Sequence, residues 1–185
     1  EYRNYWRPAH VEREWAPYSR GRWVDYYEDP CWIPEPEEDF GYVTHHYGNW
    51  VNVDTGWYWA PPVIDPVVVV GVPIVPFVGV GFGWWPGRVG WINNDVNVGW
   101  FPLGYNEPWY GHHHWGHGAH LYNTNININI NNYAYAGHAV VVSQNNYFNV
   151  NNYNSVRVTN INRHTIINNY HGAPVLNNRV IANYN

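Results

Sequence analysis

Tryptophans recur along the first hundred residues at a fixed spacing. The pattern W-x8-W-x-P occurs four times, and its tryptophan pairs are Trp6 and Trp15, Trp23 and Trp32, Trp50 and Trp59, and Trp91 and Trp100. Repetition at this scale indicates a supersecondary unit that is used several times in one chain. The pattern therefore predicts four copies of one unit within residues 1–104.

The third copy shows what this unit is. Two β-prone runs, 50–53 and 56–59, flank the turn-prone pair Asp54-Thr55. Pairing across that turn brings Trp50 opposite Trp59, so that the aromatic rings meet on one face of the ladder. The proline two residues later cannot donate to the ladder and ends the strand. Each copy is predicted to be a β-hairpin closed by a Trp-Trp pair.

A valine-rich stretch, residues 67–82, carries no charge and contains two internal prolines, Pro73 and Pro76. A membrane-spanning helix needs about 20 apolar residues, and internal proline interrupts a helix. We therefore expect two buried strands here and no membrane-spanning helix. Contact with lipid or with another subunit is the alternative interpretation of this stretch.

The Asn-rich segment after residue 120 alternates polar and apolar positions with a period of two. This alternation predicts a strand with one amide face and one isoleucine face. Further β-prone runs at 139–143, 147–150, 156–161, 165–167 and 180–181 predict an extended arm of ordered strands. Because the isoleucine face needs cover and asparagine ladders need the same residue in the next strand, neighbouring copies are expected to pair here. The predicted assembly interface is Asn125, Ile126, Asn127, Ile128, Asn129, Ile130 and Asn131.

These patterns predict an all-β chain in three parts. A compact body of Trp hairpins occupies residues 1–109, a His/Gly-rich linker occupies 110–120, and the Asn-rich β-strand tail occupies 121–185. Within the body, the acidic run 35–39 is expected to be a solvated loop rather than a calcium site, since it lacks EF-hand spacing.

Composition narrows the class of protein. The 185 residues contain 13 Trp and 17 Tyr, no Met and no Lys, and the formal net charge is -5. Three scattered arginines after residue 107 cannot neutralise a phosphate backbone, so nucleic acid is not expected as a partner. The single cysteine, Cys31, excludes a disulfide within the chain. Absence of Met at position 1 suggests a mature end left by signal-peptide removal, or else an artificial boundary.

Histidine supplies the main candidate for ligand chemistry. His112, His113, His114, His117 and His120 lie within nine residues, and neutral imidazole binds Zn, Cu or Ni. No carboxylate partner or H-E-x-x-H pattern accompanies them, so we expect weak metal binding or a flexible polar linker, and no catalytic metal or other cofactor. Cys31 is expected to pack as a small apolar residue. With no nucleophile-and-base pattern in the sequence, the chain is not expected to be an enzyme.

Several stretches resemble an uncharacterised Trp-rich secreted family of Gram-negative bacteria, whose members carry YGRW, GW-x-W-x-P and GWFPLG-type motifs, some beside FecR-like segments. The matching stretches are Gly48-Asn49-Trp50-Val51, Gly56-Trp57-Tyr58-Trp59-Ala60-Pro61, Val98-Gly99-Trp100-Phe101-Pro102-Leu103-Gly104, Glu107-Pro108-Trp109, Val156 to Arg163 and Ile166 to Tyr170. The chain departs from this family at Asn49 and at Asp29-Pro30-Cys31, so the second hairpin is expected to be less regular. The resemblance implies an extracellular or outer-envelope location and transfers no activity.

These observations predict a non-catalytic extracellular structural protein that self-assembles by strand pairing into a filament, coat or matrix, either with itself or on another extracellular polymer. One alternative is a cell-wall or polysaccharide-binding module in which Trp50, Trp57 and Trp59 stack on sugars, although large apolar rings are more often buried. The second alternative is an envelope protein that binds metal through the His cluster.

Overall fold

Three of the four Trp repeats fold as β-hairpins in the computed structural model, which describes residues 4–12, 14–54, 56–62, 83–116, 118–123 and 125–176. Their antiparallel registers place Trp23 opposite Trp32, Trp50 opposite Trp59, and Trp91 opposite Trp100. The predicted hairpins and their Trp-Trp pairs are confirmed for these copies. The strands are β1 (Gly21–Tyr26) and β2 (Asp29–Pro34), β3 (Asn49–Val53) and β4 (Gly56–Ala60), and β5 (Val89–Asn93) and β6 (Asn97–Pro102).

The first repeat does not form a hairpin, and that prediction was wrong. Trp6 exchanges two backbone hydrogen bonds with Trp59 of the third repeat, with N···O distances of 2.9 and 2.7 Å, instead of pairing with Trp15. The residues between Trp6 and Trp15 explain the difference, because half of them are charged and they include Pro8, which removes a ladder donor. Trp6 therefore extends the β3–β4 hairpin.

A four-stranded antiparallel sheet joins the fourth hairpin to the Asn-rich segment. Strand β9 (Val140–Ser143) pairs with β6, and β10 (His171–Ala173) pairs with β5, which gives the order β10-β5-β6-β9. Two short strands, β7 (Trp109–Gly111) and β8 (Ala119–Leu121), pair in parallel between the two halves of the chain. The fold is predominantly β, as predicted. The Asn-rich segment, however, is built into the body of the protein and does not extend away from it as an arm.

Both faces of this sheet are buried. On one face Trp91, Trp100 and Val140 pack against the tryptophans of the other hairpins. On the opposite face Ile92 and Phe101 pack against side chains of the Asn-rich segment. Apolar doublets such as Trp91-Ile92 put an apolar side chain on each face of a strand, and such a sheet must be covered on both sides.

Short helices replace several of the predicted strands. Helix α1 spans Gly41–His46, α2 spans Gln144–Asn149, and α3 spans Arg163–Asn169. The strands predicted at 147–150 and 165–167 therefore lie in helices, and 156–161 contains no strand. The predicted strand at Asn125–Asn131 is also absent, and a single-turn 3-10 helix begins at Ile130. Two more such turns span Ala136–His138 and Tyr153–Ser155.

Local hydrogen bonds to side chains, from Ser143 at the start of α2 and from asparagine in the other turns, account for the helical segments. The Asn129 side chain accepts a hydrogen bond from the Asn131 N–H at 3.0 Å, and Asn162 accepts one from the Thr165 N–H at 3.0 Å. Asn152 does the same for the Asn154 N–H at 2.9 Å. Such local bonds cap helices and turns and compete with ladder pairing. The β-prone residues that follow each asparagine are therefore drawn into helical turns.

Two predicted elements lie outside the described residues, namely the strands within 67–82 and the strand at 180–181. Within the described ranges, no helix has the length and apolar character needed to cross a lipid bilayer.

Candidate functional site

The segment Asn125–Asn131 keeps the predicted alternation of side chains without forming a strand. Its four asparagines are exposed, Ile126 and Ile128 are half-buried, and Ile130 is buried. Ile130 packs with Tyr133, Ile166 and Tyr170 beneath the second face of the central sheet. The amide side and the isoleucine side are therefore separated as the sequence predicts.

The backbone of this segment is held at one end. The Arg163 guanidinium donates from Nη2 to the Asn131 carbonyl and from Nη1 to the Tyr133 carbonyl, both at 2.8 Å. The backbone N–H groups of Asn127 and Ile128, in contrast, donate to none of the residues that the structure describes. Unpaired backbone donors at the edge of a fold are a template for pairing with another strand.

A cleft of about 310 Å³ opens beside the segment. It lies between residues 127–131, Ile167 of α3 and the β10 strand. Glycine at position 172 allows the approach, because a Cβ there would lie 2.5 Å from the Ile128 Cγ2 atom. The cleft therefore leaves open space beside the segment at the edge of the fold.

The His cluster does not converge on one point. His112 and His113 turn toward the buried carboxylate of Asp29, with Nδ1···O distances of 3.1 and 3.5 Å. His114 is exposed, the His120 ring lies against Tyr110, and His117 lies outside the described residues. Among the described residues, no group of three or more His, Cys, Asp or Glu is placed to hold a metal ion.

Asp29 is a residue that the sequence interpretation did not single out. Its side chain is fully buried and accepts hydrogen bonds from the His112 backbone N–H at 2.8 Å and from Trp115 Nε1 at 2.6 Å. It thereby fixes the 112–115 loop against the start of β2. The signal in the sequence was the departure from the family pattern at Asp29-Pro30-Cys31, which was expected to make this hairpin irregular. The hairpin is regular through six residue pairs.

Comparison with known proteins identifies the first part of the chain. The profile of a family of unknown function, DUF6600, matches residues 1–107, which is more than half of the chain. The chain belongs to the DUF6600 family. Neither a curated protein nor a solved structure matches it at a significant level. The DUF6600 match ends between β6 and β7, so the β9 and β10 strands that complete the central sheet lie beyond it.

Within the DUF6600 region, the tryptophans proposed as a sugar platform are largely in the core. Trp50 is 2% exposed and Trp57 is 7% exposed, so neither offers a ring face to solvent. Trp59 is half-buried and its Nε1 donates to the Tyr47 carbonyl at 2.8 Å. The remaining repeat tryptophans, Trp15, Trp23, Trp32, Trp91 and Trp100, are buried, whereas Trp6 is exposed. A glycan platform would therefore need other residues.

Cys31 of the DUF6600 region is buried in β2, and burial raises the pKa of its thiol to about 11. The thiol is therefore protonated at neutral pH. A protonated, buried thiol is a poor nucleophile. The geometry agrees with the expected packing role of this residue.

The DUF6600 region also buries further ionisable groups that the sequence interpretation placed elsewhere or overlooked, among them Glu38 and His45. Glu38, from the run expected to be solvated, is 5% exposed and accepts a hydrogen bond from Trp15 Nε1. Burial raises the pKa of Glu38 to about 7, although Trp15 and the charge of Arg20 partly oppose this shift. These contacts make the residue part of the aromatic core.

His45 in α1 is the second buried group. Burial lowers its pKa to about 3, so the ring is neutral under ordinary conditions. Its Nδ1 lies 2.8 Å from the Gly41 carbonyl, and its Nε2 accepts the Tyr18 backbone N–H at 3.1 Å. This pattern assigns the proton to Nδ1 and satisfies both ring nitrogens.

Proposed function

We propose that this protein is a non-catalytic structural protein of the cell exterior that assembles with copies of itself by strand pairing, as a filament, coat or matrix. The proposal includes an extracellular or outer-envelope location and kinship with the Trp-rich secreted proteins of Gram-negative bacteria. One observation carries it. Residues 125–131 present four exposed asparagines beside an open cleft, and the backbone N–H groups of Asn127 and Ile128 donate to none of the residues that the structure describes.

Addition of a strand suits this segment because much of its backbone is already held in place before a partner binds. Ile130 and the Arg163 contacts hold its C-terminal end on the body. Binding of a partner therefore costs less conformational entropy than it would for a flexible segment. An incoming strand would pair with the backbone groups of every second residue along one edge of the segment and would gain main-chain hydrogen bonds for affinity.

A second copy of the same segment is the partner that its side chains favour. Residues 125–132 carry no charge, so two copies do not repel each other. When identical segments lie side by side in register, asparagine amides stack on asparagine amides and form hydrogen-bonded ladders. The repeated exposed amides at Asn125, Asn127, Asn129 and Asn131 supply such a ladder.

The test is whether charge on the amide side blocks assembly. The double variant Asn125→Lys with Asn127→Lys puts two like charges on the exposed side, where they oppose edge pairing without entering the core. Sedimentation velocity over a range of concentrations, together with electron micrographs, should show ordered polymers for the natural protein and monomers for the variant.

A matched control keeps the added charge and moves it. Asn145 and Asn149 are exposed on α2, so the double lysine variant at these positions should polymerise like the natural protein. A natural protein that stays monomeric at every concentration would refute the proposal. Polymers that persist in the Asn125→Lys, Asn127→Lys variant would show that the interface lies elsewhere.

A further inference from the structure

A row of aromatic side chains crosses the surface at the turn between β1 and β2. Neighbouring rings are in contact, with centroids 5.4 Å apart for Tyr26 and Trp115, 5.4 Å for Trp115 and Trp84, and 5.2 Å for Trp115 and His113. We call this set the aromatic strip. Its members are Tyr26, Tyr27, Tyr42, Trp84, His113 and Trp115.

The aromatic strip is open to solvent. Tyr27 is 66% exposed, Tyr42 is 58% exposed and Tyr26 is 41% exposed, while Trp84 and Trp115 are half-buried. Tyr42 is linked to Trp84 through the His46 ring, which stacks on Trp84 at 5.2 Å with an interplanar angle of 9°. Tyr26, Tyr27, Trp84 and Trp115 form one patch, whereas Tyr42 stands apart from it at the surface because the intervening His46 ring is 1% exposed. Such a patch on a folded protein marks a binding surface.

Polar contacts hold the Trp115 ring of the strip and the His46 ring that stacks on Trp84. Trp115 is held by the hydrogen bond from its Nε1 to Asp29, and His46 is held by its Nδ1, which lies 2.6 Å from the Trp85 carbonyl. Ring positions that are set before binding lose little entropy when a ligand stacks on them. The Asp29 network therefore supports the strip.

The backbone at the tip of the hairpin is unusual for its residues. Tyr27 and Glu28 form a two-residue turn, and both have positive φ, 51° and 69°. Turns of this kind favour asparagine and glycine. Bulky residues in the left-handed region cost free energy and tend to occur at functional sites. In this turn the left-handed backbone places Tyr27, the most exposed ring of the strip, at the hairpin tip.

We propose that the aromatic strip binds a neutral, linear polysaccharide. The C–H faces of pyranose rings stack on exposed aromatic rings. The exposed carboxylate of Asp25 at the same turn accepts the Glu28 backbone N–H through Oδ1 at 3.2 Å, and its second oxygen lies where it could accept a hydrogen bond from a sugar hydroxyl.

Charge decides against the other polymers that stack on aromatic rings. Single-stranded nucleic acids need a positively charged groove beside the rings. The strip contains no lysine or arginine, and Asp25 and Glu28 beside it would repel phosphate. A neutral glycan meets no such repulsion.

The key variant is Tyr27→Asn, because it separates binding from folding. Asparagine suits the positive φ, so the variant should unfold about 2 °C higher than the natural protein. Loss of the ring should weaken binding of β-1,4-linked hexasaccharides of glucose or of N-acetylglucosamine at least about fivefold in isothermal titration calorimetry.

Tyr5→Asn is the matched control, since Tyr5 is 52% exposed and lies outside the aromatic strip. It should bind these hexasaccharides like the natural protein. Failure of the natural protein to bind either hexasaccharide at millimolar concentration would overturn the proposal. Equal affinity in Tyr27→Asn, or tighter binding of oligothymidine than of either sugar, would overturn it as well.

Discussion

At the scale of single residues, Glu38 has a direct consequence for stability. The aromatic core favours its protonated form, because burial raises the pKa from 4.5 to about 7. A raised pKa contributes stability that is complete below pH 4.5 and is lost as the pH rises through 7. We therefore expect Glu38→Gln to gain stability relative to the natural protein between pH 5 and pH 8, by on the order of 3 kcal/mol.

Urea denaturation at pH 5, 6, 7 and 8 measures this difference. Glutamine keeps an acceptor for Trp15 Nε1, so the change removes the titration and spares the hydrogen bond. A difference in unfolding free energy that stays constant from pH 5 to pH 8 would contradict the raised pKa of Glu38.

His45 has the opposite effect on the pH dependence of stability. Its pKa falls from 6.5 to about 3 on burial, so the folded protein keeps the neutral ring. The stability linked to a lowered pKa of this base is lost as the pH drops below 6.5, where the unfolded chain takes up the proton. The Glu38→Gln variant should therefore lose stability steadily on acidification, because the compensating gain from Glu38 is absent.

At the scale of elements, the hairpins were predictable and the short helices were not. Two-residue turns and alternating aromatic positions determine strand register, which is why Trp50 and Trp59 were placed correctly opposite each other. In the Asn-rich segment the period-two pattern predicted which side chains are buried but not the backbone. Asn162 shows the reason, since its side chain caps α3 although Thr165, Ile166 and Ile167 are β-prone.

The Trp repeats are unequal in packing, although the sequence pattern is the same. Trp100 is fully buried and its ring contacts Trp23, Trp91 and Tyr153. Trp6 is exposed and contacts Phe40 at 5.1 Å. We expect Trp100→Ala to cost about 3 to 5 kcal/mol of unfolding free energy and Trp6→Ala about 1 kcal/mol.

Chemical denaturation of the two alanine variants compares the repeats directly. Equal losses would mean that the first repeat carries a packed Trp pair like the others. A large loss for Trp6→Ala alone would place the main aromatic contact at the β3–β4 hairpin.

At the scale of the whole molecule, the two halves of the chain depend on one sheet. The DUF6600 region supplies β5 and β6, and the Asn-rich segment supplies both outer strands and the cover of the second face. Apolar residues on both faces of β5 and β6 already required a second cover in the sequence. Which segment provides it did not follow, because asparagine-rich composition is typical of disordered tails as well as of packed ones.

The candidate functional surfaces were also only partly predictable from the sequence. The Asn125–Asn131 segment was identified from its alternation, because period-two burial needs no knowledge of the strand's neighbours. The aromatic strip was not, because Tyr26 and Tyr27 are brought to Trp84 and Trp115 by long-range packing. Spacing in the sequence carries no information on such contacts.

The separation of the two faces leads to a prediction about Ile128. This residue lies against Gly172 of β10, on the face of the central sheet opposite to the one that carries Trp91 and Trp100. In Ile128→Asp, a carboxylate would replace a half-buried apolar contact, and the cost of desolvating it would free the segment from the β10 edge. We expect assembly to be lost while the near-ultraviolet circular dichroism of the tryptophans is retained.

Ile128→Val keeps the apolar contact and should assemble normally. Polymers formed by Ile128→Asp would show that the position of this segment does not matter for assembly, and loss of the aromatic signal would show that the two faces unfold together.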